Sequence, residues 1–184
     1  MVMLEGGVAA QREPAKPPPD PSAQRYRTQR SFAVLATTGM VDGFGLGARL
    51  GTPRIGFDLS AGYEPVIAVY AQGTDHPPKY RLLSALQLNT TAYFGVYRTG
   101  PRNDIGIALG YKYDTVLKHG VGASFYTQYD IGEHWALHIF VGPAIFPKAE
   151  RGIRDKAGWP DQGSVGSGIS WLQGGFGLSL AYYP

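Results

Sequence analysis

Cysteine is absent from this 184-residue chain. That excludes a disulfide framework, a thiol nucleophile, a cysteine-built zinc site and a cysteine for an N-terminal lipid. No stretch approaches the roughly 18 consecutive apolar residues of a membrane-spanning helix. If the chain crosses a membrane, it must do so as a closed ring of strands, because only that form or a helix satisfies every backbone donor and acceptor in lipid. Charge is sparse too: 17 Lys and Arg against 14 Asp and Glu leave a net +3, which gives no nucleic-acid signal. His76, His119, His134 and His138 lack metal-ligand spacing. The glycines of Gly43–Gly47 miss the dinucleotide pattern, so no cofactor is expected. The length is that of one domain with a short tail.

What the chain does have is glycine, 26 residues of it, and more Tyr (12) than Phe (8). The most informative stretch runs from Asp104 to Pro147, where apolar residues recur at every second position. Ile105, Ile107, Leu109, Tyr111 and Tyr113 alternate with Gly106, Ala108, Gly110 and Lys112; Trp135, Leu137, Ile139 and Val141 alternate with Ala136, His138, Phe140 and Gly142. A period of two means strands, since successive side chains point to opposite faces of a sheet. One face is continuously apolar and ends in aromatics; the other is small and polar. A soluble barrel would bury the large residues and put charge rather than glycine outside. The pattern fits an all-β, closed, antiparallel up-and-down transmembrane β-barrel whose apolar face meets lipid.

Taken in order, residues 1–29 read as a disordered, proline-rich segment, with Val8-Ala9-Ala10 shaped like the small-residue end of a cleavage site. Residues 30–184 carry the strands. Strand one covers Ser31–Thr38, strand two Phe44–Leu50, and strand three Ile55–Tyr63 with a continuation through Pro65 to Tyr70, where the proline implies an edge-like irregularity. Lys79–Arg98 keeps one phase, with Tyr93 and Tyr97 sharing the polar face; a turn at Asn89-Thr90 is the alternative and would raise the count toward ten. The central trio follows, then a long connection over Lys148–Gly166 and a last strand over Ile169–Tyr183, with Phe176, Leu178, Leu180 and Tyr182 outward. The count is eight strands, with uniformly short connections at one end and the longest ones at the other. That parity places both termini at the short-turn end, the periplasmic one in an outer-membrane barrel. Tyr129, Trp135 and Tyr182 then mark one membrane interface, and Tyr80, Tyr111, Tyr113 and Trp171 the other.

From Arg30 to Pro184 the pattern resembles the small eight-stranded bacterial outer-membrane β-barrel superfamily, which includes the outer membrane protein A-like and X-like barrels. Gly177, Leu180 and Tyr182 stand at the spacing of that class's C-terminal assembly signal, although Tyr183 and Pro184 follow the aromatic residue. The resemblance implies an outer-membrane location, recognition by the barrel-assembly machinery, contact with lipid and lipopolysaccharide, and room for a periplasmic partner on residues 11–29.

The polar face predicts a lumenal network of Arg49, Arg54, Asp58, Gln87, Asn89, Lys112, Tyr126, Gln128 and His138. An eight-stranded interior is just wide enough for side chains to fill, and buried charges need partners. A packed polar plug is therefore expected, with Asp58 paired to Arg49 or Arg54. A Ser124, His138 and Asp58 hydrolase set lacks the Gly-x-Ser-x-Gly elbow. Lys79, Lys118, Lys148, Arg151, Arg154 and Lys156 would line the outer rim near lipopolysaccharide phosphates. The expected function is non-enzymatic: a structural, adhesion or partner-binding barrel of the cell envelope. The alternatives are a narrow pore for small or hydrophobic solutes and a soluble lipocalin-like carrier with the apolar face turned inward; a lipid-modifying enzyme stands behind them.

Overall fold

The computed structural model describes residues 30–39, 43–52, 54–73, 76–100, 102–167 and 172–184. The segment 1–29 and Trp171 lie outside the described residues, as does the side chain of Phe176. The chain is all-β apart from one short helix. Its strands are β1 (Phe32–Gly39), β2 (Gly43–Gly51), β3 (Ile55–Ala71), β4 (Lys79–Gly100), β5 (Asn103–Asp114), β6 (Lys118–Ile131), β7 (Trp135–Ile145), β8 (Ser164–Ser167) and β9 (Leu172–Tyr182). All belong to one antiparallel sheet in which each strand pairs with its chain neighbour, except that β7 pairs with β9 and β8 lies on β3. Because β1 pairs with β9 and β2 with β3, eight strands close into a ring.

The period-two pattern sorts the two faces as its chemistry requires. Phe44, Leu46, Leu86, Val121 and Phe125 point away from the ring, with Leu46 70% and Phe125 73% exposed. Arg49, Asp58, Gln128 and His138 point in and are buried. Glycines on the inner face allow large neighbours to cross the interior: a Cβ on Gly56 would meet the Tyr93 hydroxyl, and one on Gly106 the Tyr126 ring.

Two long strands set the shape. β4 runs unbroken through Asn89 and Thr90, which removes the turn there and with it the ten-strand count. It does not keep a single phase, however. Register shifts between Gly95 and Tyr97 and between Arg98 and Gly100 insert bulges, and a bulge of one residue flips the faces. Tyr97 consequently pairs with outward-facing Ile105 and is exposed, contrary to its expected inward place. β3 outruns β2, whose last partner is Tyr63 opposite Phe44. Pro65, with no N–H to donate, sits where β3 has become an edge, before β8 joins it at Ala68.

The long connection after β7 is where sequence and structure diverge most. In place of an irregular loop it contains α1 (Ala149–Ala157) and β8. Ala149, Ile153 and Ala157 lie four apart on one helix face and are buried, and Gly158 ends the helix in the left-handed conformation at φ 67°. This face, with Phe146 before it and Trp159 after it, packs on Val66, Leu83, Val116, Leu117 and Val165 as an apolar cluster at the loop end of the ring. A smaller cluster of Ala33, Leu35, Ala136, Ala181 and Tyr183 lies at the terminus end.

Candidate functional site

The interior between these clusters is organised by Arg49. Hairpin register places Arg49 directly opposite Asp58 on β2 and β3. The guanidinium donates Nε–H to Asp58 Oδ1 and Nη2–H to Oδ2, both at 2.6 Å, a two-pronged ion pair with no solvent exposure on the arginine. Nη1 lies 2.8 Å from both ring nitrogens of His138 and donates to the unprotonated one; the Gln128 Oε1 is a longer acceptor at 3.4 Å. Tyr93 stacks against the cation at 4.0 Å, and Tyr126 meets Tyr93 edge-on. The network continues toward the termini. Gln128 Nε2–H donates to Asp130 Oδ1 (2.9 Å), and Asp130 pairs with Arg30 at 3.1 Å. Arg30 also donates to the carbonyl oxygens of Gly132 and Glu133 and lies over the Tyr183 ring. Burial raises the Tyr183 hydroxyl above its ordinary value, opposed by the charge of Arg49.

Of the expected lumenal set, Arg49, Asp58, Tyr126, Gln128 and His138 thus come together in one layer. Lys112 lies nearer the loop end, where it makes a buried ion pair with Glu64 under the Phe146 ring. Gln87 and Asn89 are buried on β4, and neither side-chain amide has a protein hydrogen-bond partner among the described residues. Arg54 is a correction: it is exposed in the β2–β3 turn, where Thr52 Oγ1 accepts the Arg54 and Ile55 backbone N–H groups. It is therefore outside the network, and Arg49 alone pairs with Asp58. His138 is joined to Arg49 and not to Ser124, which lines the wall of a cavity.

Several interior groups escaped the sequence reading. Glu64 continues the inward phase of Asp58, Ser60 and Gly62, a signal that was available. Asp104, buried and bonded to Arg98 at 3.1 Å, and Asp130 likewise share the inward phase of their strands. Asp114 has a turn-building role, accepting the N–H groups of Val116 (2.6 Å) and Leu117 (2.7 Å). Phe146 could not be placed from periodicity, because its strand ends at Ile145.

The rim residues divide. Lys79, Lys148, Arg151 and Lys156 are exposed at the loop end. Lys118 is half-buried and donates to the Thr115 carbonyl. Arg154 is buried rather than solvated: it donates to Pro160 and Gly163 carbonyl oxygens and pairs with Glu150, tying α1 to the chain that follows. The aromatics fall at the expected ends. Tyr129, Trp135 and Tyr182 are exposed near the termini, Trp135 and Tyr182 with ring centroids 4.8 Å apart. Tyr80, Tyr111 and Tyr113 are exposed near the loops, with His119 between the last two.

Among the described residues no three His, Asp or Glu side chains gather as a metal site, and no helix is long and apolar enough to cross a membrane. No protein-family model matches the chain, and a search of curated proteins finds no significant match.

Proposed function

We propose that this protein is a non-enzymatic, outer-membrane β-barrel with a structural, adhesion or partner-binding role in the cell envelope. The observation that carries the reading is the inversion of the ring: large apolar side chains face outward on every long strand, while paired charges fill the interior. Burying apolar area is worth about 25 cal/mol per Å², so an outer face of this kind calls for an apolar surrounding. A lipocalin-type carrier needs the reverse arrangement.

Dimensions support the same reading. On β6, His119 is paired with Tyr113, and Tyr129 lies ten positions further on. At about 3.4 Å per residue and a tilt of about 40°, that separates the two aromatic levels by about 26 Å, against roughly 25 Å for an outer-membrane apolar band. The termini would be periplasmic, residues 11–29 available to a periplasmic partner, and assembly would use the barrel-assembly machinery. Lys79, Lys148, Arg151 and Lys156 are the cations we assign to lipopolysaccharide phosphates, Arg154 being engaged internally. The pore reading has less behind it, since the Arg49 layer and the Phe146 cluster cross the interior at two levels.

The test is fractionation of membranes followed by gel migration before and after boiling. A detergent-extracted protein with a heat-dependent mobility shift is the expected result. Release as a soluble monomer by urea washing would sink the proposal, and reproducible single-channel conductance would replace it with the pore.

A further inference from the structure

Between the Arg49 layer and Phe146 lies a cavity of about 110 Å³ to which nearly every strand of the ring contributes. We infer that this cavity is a binding site for a small neutral polyol or amide. It rests on the interior alone and not on the membrane reading, since the same ring in water would present the same cavity.

Three features select the guest. The first is unmet hydrogen-bonding capacity. Asn89 and Ser179 are only 6% and 3% exposed, and both line the cavity. The amide oxygen and nitrogen of Asn89, the Ser179 hydroxyl and the hydroxyl of Thr37 have no protein partner among the described residues. Buried groups of this kind cost about 1–3 kcal/mol each when unsatisfied, so a guest that both donates and accepts hydrogen bonds would be held there. Second, the charges that reach the cavity wall are already neutralised: Lys112 by Glu64, and Asp58 by Arg49. An ion would find no uncompensated partner, whereas a neutral molecule offering both donors and acceptors would. The third feature is size and covering. Gly110, Gly122 and Gly142 leave the room, and Phe140 and Phe146 give apolar surface for carbon-bound hydrogens. A cavity of about 150 Å³ holds benzene, so the guest here has about four to six heavy atoms. Glycerol and acetamide meet all three requirements.

Entry would be from the loop end. Phe146 follows the last paired residue of β7, and its ring presses on Gly120, where a Cβ would overlap it. It is thus held by packing and by α1 instead of by strand hydrogen bonds.

The test uses the full chain, in detergent micelles or in plain buffer according to where it folds, with folding verified by its β-sheet circular dichroism, and glycerol and acetamide as probes in saturation-transfer NMR. Two variants probe the site. At Gly110 a Cβ would meet nothing closer than Thr91 Oγ1 at 3.4 Å, so Gly110→Leu can enter the cavity without backbone conflict. Asn89→Ala removes the unpartnered amide. Saturable binding of at least one probe by the native chain is expected, weakened on the order of tenfold by Asn89→Ala through the loss of its hydrogen bonds, and abolished in folded Gly110→Leu. Absence of saturable binding to the native chain overturns the inference. So does equal binding by a folded variant, or density in glycerol-soaked crystals that fits water alone. If Gly110→Leu does not fold, Asn89→Ala decides.

Discussion

The two ends of the interior are closed by opposite chemistries. Toward the termini, Arg49, Asp58, His138 and Gln128 cross the ring as a charged layer whose members all stand on strands. Toward the loops, Phe146, Ile153, Ala157 and Val165 close it with apolar contacts from one excursion of the chain. The charged layer cannot open without breaking the ring, since its positions are fixed by hairpin register. The part of the cap before β8 can lift while the ring persists, its ties to the ring being packing, the Arg81 bond to the Ala157 carbonyl and the Tyr70 hydroxyl bond to the Gln162 carbonyl, with β8 still laddered on β3. One end belongs to global stability and the other to local opening.

Breaking the charged layer should produce the largest effect. Arg49→Met leaves Asp58 buried without its cation and should cost about 3–5 kcal/mol in urea unfolding followed by gel mobility. Adding Asp58→Leu should recover most of that loss, because an apolar replacement of both partners is often neutral. A single-variant loss below about 1 kcal/mol would show that the layer is not the hub described. In the cap, Phe146→Ala removes about 3 kcal/mol of contacts. If the two ends differ as argued, that loss appears as on the order of 100-fold faster proteolysis within residues 147–163, with a much smaller shift in ring unfolding. An equal shift in both readouts would make cap and ring one cooperative unit. Glycines sharpen the contrast further. Gly120→Ala forces a Cβ into the Phe146 ring and should cost about 1–3 kcal/mol, expressed as cap opening. The smallest effect is expected from Gly110→Ala, which meets only ordinary contacts and should stay within about 0.5 kcal/mol of the parent.

The ring was legible in the sequence because its faces differ so sharply in composition. Leu86, Leu88 and Phe94 against Gln87, Asn89 and Tyr93 fix both the strand and its orientation without any tertiary information. The Arg49–Asp58 pair was half-legible: the inward phase was clear, but choosing between Arg49 and Arg54 required knowing that Gly51 pairs with Gly56, which puts Arg54 inside the turn. Tyr97 was misplaced because a bulge leaves no mark in a period-two pattern until its partner strand is known. The helix was hidden for another reason. The apolar side chains of its buried face are just Ala149, Ile153 and Ala157, beside Gly152, and Glu150, Arg151, Arg154, Asp155 and Lys156 read as a solvated loop. Nothing local distinguishes Arg154, which turns inward to carbonyl groups, from Arg151, which stays out.

The seam between β1 and β9 joins residues as distant as Val34 and Tyr182, while Arg49 and Asp58 in the next hairpin but one are nine apart. Loop-closure entropy grows as (3/2)RT ln n, so drawing the seam together costs about 2.5 kcal/mol more than closing that hairpin. Among the described residues the seam is also brief, Val34–Gly39, where β3 lies along β4 from Ile55 to Tyr70. Hairpins from β3 to β7 can therefore zip while the first and last strands are still apart, and closure of the seam is the step expected last. A lesion in that seam would slow maturation out of proportion to the stability it removes.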